Sequence, residues 1–213
     1  MAQVLTPSCY ALAREQFRSH AVLKVIAEHR EIAALEPNLA PFESLVRTVM
    51  YQQLAGAAAK SIFNNWKTLF TGTSFPTAAM ISEISVEEMR AKGVSRPKAA
   101  YILDLCQKVL DGTVILEGIQ ELEDDEVREM ITKVKGFGVW SADMFLIFTL
   151  HRRDVWPTLD LGVRNGYRKL AGREEEIKPK ELESLGEVLR PYRSIASLYC
   201  WRALEPGALV EAG

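Results

Sequence analysis

Val134-Lys135-Gly136-Phe137-Gly138-Val139-Trp140-Ser141-Ala142 is the stretch on which the reading of the fold turns. It lies between two segments with helical spacing of apolar residues, one from about Asp124 to Lys133 and one from Val139 to Leu150. Two glycines around a single aromatic residue mark a tight turn with unusual dihedrals, or a backbone that comes close to something. Because a helix follows at once, the N–H groups near Gly138 to Trp140 have no acceptors within it and point outward. A phosphate is well held at such a place, and Lys135 adds a positive charge. The same residues also read as a helix C-cap at Gly136 joined to an ordinary linker. They are not a dinucleotide fingerprint, since the third glycine and the preceding strand are both absent.

Outward from this stretch the chain is helical nearly throughout. Downstream, Asp154-Val155-Trp156-Pro157-Thr158-Leu159-Asp160-Leu161-Gly162-Val163-Arg164 ends a proline-stiffened linker at Asp160, where a helix over about 161–171 begins. By spacing alone Asp160 is an N-cap, a role worth about 1 kcal/mol. Upstream, helices are predicted over 14–34, over 42–53 and over 60–70 after the small-residue run 55–59. Ser85 with Glu88 forms a capping box for Val86–Ala91. Ser95 is a candidate cap for a helix with Pro97 in its first turn, and Asp124 or Asp125 for the helix before the glycines. Two further helices are expected over 181–189 and 191–204. Thr113–Leu116 is the one strong strand candidate, too short and solitary to found a sheet. About ten helices in a single compact all-α unit over 1–213 is the expected architecture.

Composition narrows the function classes. A formal net charge of −2 does not announce a nucleic-acid partner, but the charges are unevenly spread. Residues 131–170 carry seven basic and three acidic side chains, whereas 117–129 carry seven acidic ones and only Arg128. A local basic face is therefore compatible with the total. Cys9, Cys106 and Cys200 follow no metal spacing and make a disulfide framework an unlikely design. Three histidines give little material for a zinc site or a catalytic triad. Apolar runs are too short and interrupted to span a membrane, and residues 1–12 lack the pattern of a secretory signal. An intracellular location is expected: cytoplasm or nucleoid in a bacterium, the nucleus in a eukaryote.

Taken together, these segments resemble the helix-hairpin-helix DNA glycosylase superfamily, whose hairpin has the form Leu-Pro-Gly-x-Gly and is followed some twenty residues later by an essential Asp. Here the hairpin reads Val134-Lys135-Gly136-Phe137-Gly138, with Asp160 lying 24 residues beyond Gly136. The alkylation-repair branch, of the DNA-3-methyladenine glycosylase II type, is the nearest in pattern. Its features also occur in Phe42-Glu43-Ser44-Leu45-Val46-Arg47 through Gln52-Gln53, in Gly93-Val94-Ser95 with Lys98-Ala99, and in Pro191-Tyr192-Arg193-Ser194 with Trp201-Arg202. The likeness spans about residues 15–204. Lys135 stands where many relatives have Pro.

The resemblance implies two closely packed helical lobes with an active-site cleft, a helix-hairpin-helix element at about 124–150, and a set of roles. Lys135, Gly136, Gly138, Val139 and Trp140 would hold a DNA phosphate. Carbonyls of Thr132, Val134 and Phe137 would be candidates to bind a structural Na+ or K+. Asp160 would be the catalytic carboxylate, acting electrostatically or as a base toward water. Gln53 and Leu54 would fill the gap left by a flipped nucleotide. Trp140, Trp156 and Tyr51 are the candidate walls for an electron-poor base; Phe42 and Trp66 read as core. Arg193 and Lys98 are candidates for phosphates or for the acidic 117–129 stretch. Where lyase-competent relatives carry a nucleophilic Lys, this chain has Trp140, and an indole cannot form a Schiff base. The implied activity is monofunctional excision of alkylated purines from double-stranded DNA, by a monomer without a cofactor for the chemistry. A non-catalytic DNA lesion- or structure-binding protein, or a helical protein-interaction module, is the alternative.

Overall fold

The computed structural model describes residues 3–35, 40–52 and 56–206. The wedge candidates Gln53 and Leu54 lie outside the described residues. Twelve α-helices are seen among those described: α1 Pro7–Arg18, α2 Lys24–Ala27, α3 Pro41–Tyr51, α4 Gly56–Lys67, α5 Ala78–Ser82, α6 Val86–Ala91, α7 Arg96–Leu110, α8 Asp124–Thr132, α9 Val139–Phe148, α10 Leu161–Leu170, α11 Pro179–Gly186 and α12 Arg193–Ala203. Short 3-10 turns occupy Ile119–Glu121 and Glu187–Leu189. Among the described residues the β content is one isolated bridge between Val4 and Arg152. The fold is all-α.

Local chemistry explains most boundaries. Pro41, Pro97 and Pro179 sit in the first turns of α3, α7 and α11, where a missing N–H costs nothing. Ser85 and Glu88 close their capping box at α6. At α8 the cap is Glu123 with Glu126, one residue before the expected Asp124, since Glu123 and Glu126 satisfy each other's backbone N–H groups. Ser95 precedes α7 without a side-chain capping bond. The single helix expected over 14–34 is split: His20 Nδ1 accepts the N–H groups of Val22 and Leu23, each at 3.1 Å, and the chain turns between α1 and α2. Thr113–Leu116 is not a strand. Its Val114 N–H goes to the Lys108 carbonyl at the end of α7, and its Ile115 N–H to the Met130 sulfur, so its donors are consumed by helices.

The chain divides into two compact units, Met1–Pro37 with Leu146–Gly213 and Asn38–Phe145. In the first, Phe17, Leu23, Ile26, Tyr167, Ile177, Leu182, Ile195 and Tyr199 form the core. Its tightest joint is α10 against α12, where a Cβ on Gly166 would meet the Cys200 carbonyl oxygen at 1.9 Å. Only glycine permits that approach. In the second unit Leu45, Val49, Phe63, Trp66, Ile81, Ile102 and Leu105 are buried. Phe42, Phe63, Trp66, Phe70 and Phe75 pack ring against ring, with centroids 5.0 to 6.3 Å from a neighbour. Burying such rings is the largest apolar gain available to a small helical body.

Candidate functional site

The hairpin is the chain between α8 and α9. Gly136 has φ of +80°, a left-handed conformation, and a Cβ there would fall 2.3 Å from the Tyr101 ring. Two independent constraints therefore require glycine: the turn and the ring laid on its face. Gly138 is different. Its φ lies outside the left-handed region, and a Cβ built on it meets nothing within 4 Å. Among the described residues nothing demands glycine at 138.

The turn is held from several sides within its unit. Phe137 is buried and donates its N–H to the Val134 carbonyl at 3.1 Å. The Lys135 N–H donates to Asp104 Oδ2 at 2.8 Å, and the Lys135 ammonium, largely exposed, rests 3.8 Å from the same carboxylate. Gln52, ending α3, donates its side-chain amide to the Gly136 carbonyl at 3.2 Å. The first helical bond of α9 runs from the Ala142 N–H to Gly138 O at 3.1 Å. The two helices are braced by Arg128 on α8, whose Nε donates to Asp143 Oδ1 on α9 at 2.8 Å. Burial pushes the Asp143 carboxyl up from the usual carboxylate range, against the pull of Arg128. Val139 and Trp140, the first residues of α9, are 46% and 37% exposed, so this helix start faces outward. A cavity of about 680 Å³ beside it is lined by Trp140, Gly138, Gly136, Tyr101, Lys98 and Gln52, among others. Tyr51 is half-buried, its ring 5.5 Å from the Arg47 guanidinium and edge-on to Phe63.

Asp160 belongs to the other unit. Its N–H bonds the Pro157 carbonyl, closing the turn that starts α10. The carboxylate is 8% exposed, and Oδ1 accepts two hydrogen bonds: from the Val163 N–H at 2.7 Å and from Trp201 Nε1 at 2.8 Å. The cap reading is thus correct, and a capped helix start with an added indole donor fixes the carboxylate's orientation. Gly162 makes the second bond possible, because a Cβ there would sit 2.7 Å from the Trp201 ring and 2.9 Å from Asp160 Oδ1. Trp201 itself is stacked on Phe148, centroids 5.5 Å apart. The nearby Cys200 thiol is pushed up by burial, and the Asp160 charge adds to the effect.

Trp201 lies within the family pattern, but neither it nor Gly162 carries a role that the sequence reveals. The separation of 41 residues between Trp201 and Asp160 hides the pair from any local reading. Three other side chains turn out to be engaged elsewhere. Trp156 is buried, with its indole N–H on the Leu182 carbonyl at 2.8 Å, its ring against Tyr167 and Gly186 pressed on it, so it packs its own unit. Lys98 donates to the carbonyls of Met50 and Gln52 at the end of α3, at 2.8 and 2.7 Å. Arg193 is bidentate to Asp154, at 2.8 and 3.0 Å. Both cations are engaged within their own units, Lys98 by carbonyl oxygens and Arg193 by a carboxylate.

Residues 46–191 match the model of the HhH-GPD superfamily of base excision DNA repair proteins. DNA-3-methyladenine glycosylase 1 of Schizosaccharomyces pombe is 34% identical over 182 residues, 85% of this chain and 79% of that protein. A 3-methyladenine DNA glycosylase of the same yeast, solved in complex with abasic DNA, superposes with a TM-score of 0.81 at 31% identity, covering 90% of this chain and 95% of that one. A DNA-3-methyladenine glycosidase of Bacillus halodurans gives 0.79 at 31% identity, covering 93% and 89%. With the hairpin, the capped Asp160 and a family match over most of its length, the chain belongs to the HhH-GPD superfamily of base excision DNA repair proteins.

Proposed function

We propose that this protein is a monofunctional DNA glycosylase that releases alkylated purines, with 3-methyladenine and 7-methylguanine as the leading substrates and ethenoadenine and hypoxanthine as candidates. The observation that carries the reading is Asp160: a nearly buried carboxylate whose orientation is set by two donors on one oxygen. Cleavage of a nucleoside bond passes through a state with positive charge on the deoxyribose, as in glycoside hydrolysis. A fixed carboxylate in partly desolvated surroundings stabilises that charge and reorganises little as it forms. We assign Asp160 this electrostatic role. A purine alkylated at N3 or N7 is already a cationic leaving group, so strong acid catalysis is unnecessary.

DNA is the proposed partner. The open face of Gly138 and the outward start of α9 support backbone donation to a phosphate by Gly136, Gly138, Val139 and Trp140. Lys135 supplies charge there, its ammonium only loosely tied to Asp104. Trp140, 37% exposed, is the first candidate to stack on an electron-poor base, and Tyr51 is retained as a second candidate; Trp156 is assigned to packing. Gln53 and Leu54 keep the wedge assignment that the resemblance gives them. Carbonyls of Thr132, Val134 and Phe137 are neutral oxygen donors of the kind that suits a monovalent cation. Val134 O accepts the Phe137 N–H, and a carbonyl oxygen has a second lone pair with which it can coordinate. A cation there would add positive charge on the phosphate side. No helix among the described residues is long and apolar enough to cross a membrane.

Base release from methylated duplex DNA by the wild type and by Asp160→Asn tests the reading. Asn can still accept the two hydrogen bonds, so the fold should survive while release falls by about 100-fold or more, as when a transition-state charge loses its partner. No release by either protein would reduce the chain to a lesion-binding one. Release coupled to a strand break would overturn the monofunctional assignment.

A further inference from the structure

Two parts of the second unit converge on one side of α7. Lys98, Tyr101 and Asp104 occur at successive intervals of three and so run along one helix face. Lys98 takes hold of the end of α3, and Tyr101 and Asp104 take hold of the hairpin. Lys98 Nζ grips the carbonyls of Met50 and Gln52, where the last turn of α3 leaves acceptors unpaired and its dipole favours a cation. Tyr101 lies flat against Gly136. Asp104 accepts the Lys135 N–H. Gln52 closes the ring: its own carbonyl is held by Lys98 while its side-chain amide donates to Gly136 O. The end of α3 and the hairpin are thereby tied to the same helix and also to each other.

Such a closed circuit exceeds what capping α3 requires. Lys98 alone satisfies two of its terminal carbonyls, yet Gln52 spends its amide on the hairpin. Fixing the Gly136 carbonyl fixes the plane of the Gly136–Phe137 peptide, next to the turn read above as the phosphate grip. We propose that Gln52, clamped by Lys98 and bonded to Gly136, is a positioning residue that couples the end of α3 to the hairpin. The phosphate grip of the hairpin and the presentation of the end of α3 to the lesion are then set together in the free protein. This rests on the glycosylase reading of the hairpin. Its energetic logic is preorganisation: geometry fixed in the free protein is not ordered at the expense of binding.

The test uses Gln52→Met, which keeps length but removes the donor, with Gln52→Ala as a second variant and Lys98→Met as the partner change. Excision is measured from duplexes in which the alkylated base is paired, and in which it faces an abasic gap that makes extrusion easy. Binding is measured to undamaged duplex and to duplex carrying an abasic analogue. Coupling predicts that Gln52→Met lowers excision of the paired lesion by about tenfold, the value of one lost hydrogen bond of about 1.4 kcal/mol, and of the gapped lesion by much less. Binding to the abasic analogue should weaken more than binding to undamaged duplex. The double variant Gln52→Met with Lys98→Met should be less than additive. Equal losses on both lesions, additivity, or wild-type activity overturns the proposal. Should the wild type release no base, the glycosylase reading falls, while the binding contrast still decides whether Gln52 couples the two parts.

Discussion

Gly138 and Gly162 stand at the starts of two helices, α9 and α10, and neither needs a left-handed backbone. Around Gly162 there is no room: Trp201 and the Asp160 carboxylate fill the place of a side chain. Around Gly138 there is nothing within 4 Å. One glycine admits a partner from inside the chain, and the other leaves space for a partner from outside it. The two helix starts divide in the same way. That of α10 spends the Val163 N–H on its own carboxylate, whereas that of α9 presents exposed residues to solvent. A glycine in a sequence motif thus has two distinct meanings, and only its neighbours in space tell them apart.

The sharpest way to break this contrast is Trp201→Phe, which leaves the stacking on Phe148 but removes one donor from a buried carboxylate. A hydrogen bond to a charged group is worth about 1.5–3 kcal/mol, so excision should fall by about 10- to 100-fold, seen in kcat more than in DNA affinity. Unchanged kcat would mean that Val163 N–H alone orients Asp160. Next comes Gly162→Ala. Its methyl group would force Trp201 from Asp160, costing about 1–3 kcal/mol of stability and lowering Tm by several degrees, together with activity.

Gly138→Ala should do the opposite. In the free protein its Cβ meets nothing, so Tm should stay within the change of about 0.5 kcal/mol usual for surface substitutions. DNA affinity should nevertheless fall about tenfold through a blocked backbone approach. A loss of Tm without a loss of affinity would sink the outside-partner reading.

The smallest effect concerns a third turn, before α2, which is self-consumed like the start of α10. His20 Nδ1 accepts two backbone N–H groups, and burial holds the imidazole below the usual histidine range. Because its folded value is depressed, the unfolded chain binds the proton more readily. Stability is therefore present above the unfolded value of about 6.5 and declines as pH falls below it toward the folded value. Melting from pH 7.5 to 5.5 should show a loss of Tm that is smaller in His20→Asn, whose side-chain oxygen accepts without titrating.

Helical periodicity, prolines in first turns and the Ser85 box were legible because each acts through neighbours in sequence. Asp160 as a cap was equally legible, since a side chain reaching three residues ahead is a local event. The break at His20 escaped notice because an imidazole acceptor competes with a helix that spacing alone would continue. Lys98 and Arg193 were read by charge, whereas their partners, the end of α3 and Asp154, were fixed by packing.

By itself the sequence determined an all-helical chain, a two-glycine turn before a helix, a carboxylate at the next helix start, and the family whose pattern joins them. Tertiary structure alone decided which oxygen of Asp160 is tied to Trp201, that Trp156 packs inward, that Tyr101 and Gln52 hold Gly136, and that Gly138 remains open. The physical reason is range. Backbone propensity and capping are settled within a few residues, while orienting a buried charge or emptying the space above a glycine depends on groups brought together only by the packing of whole helices.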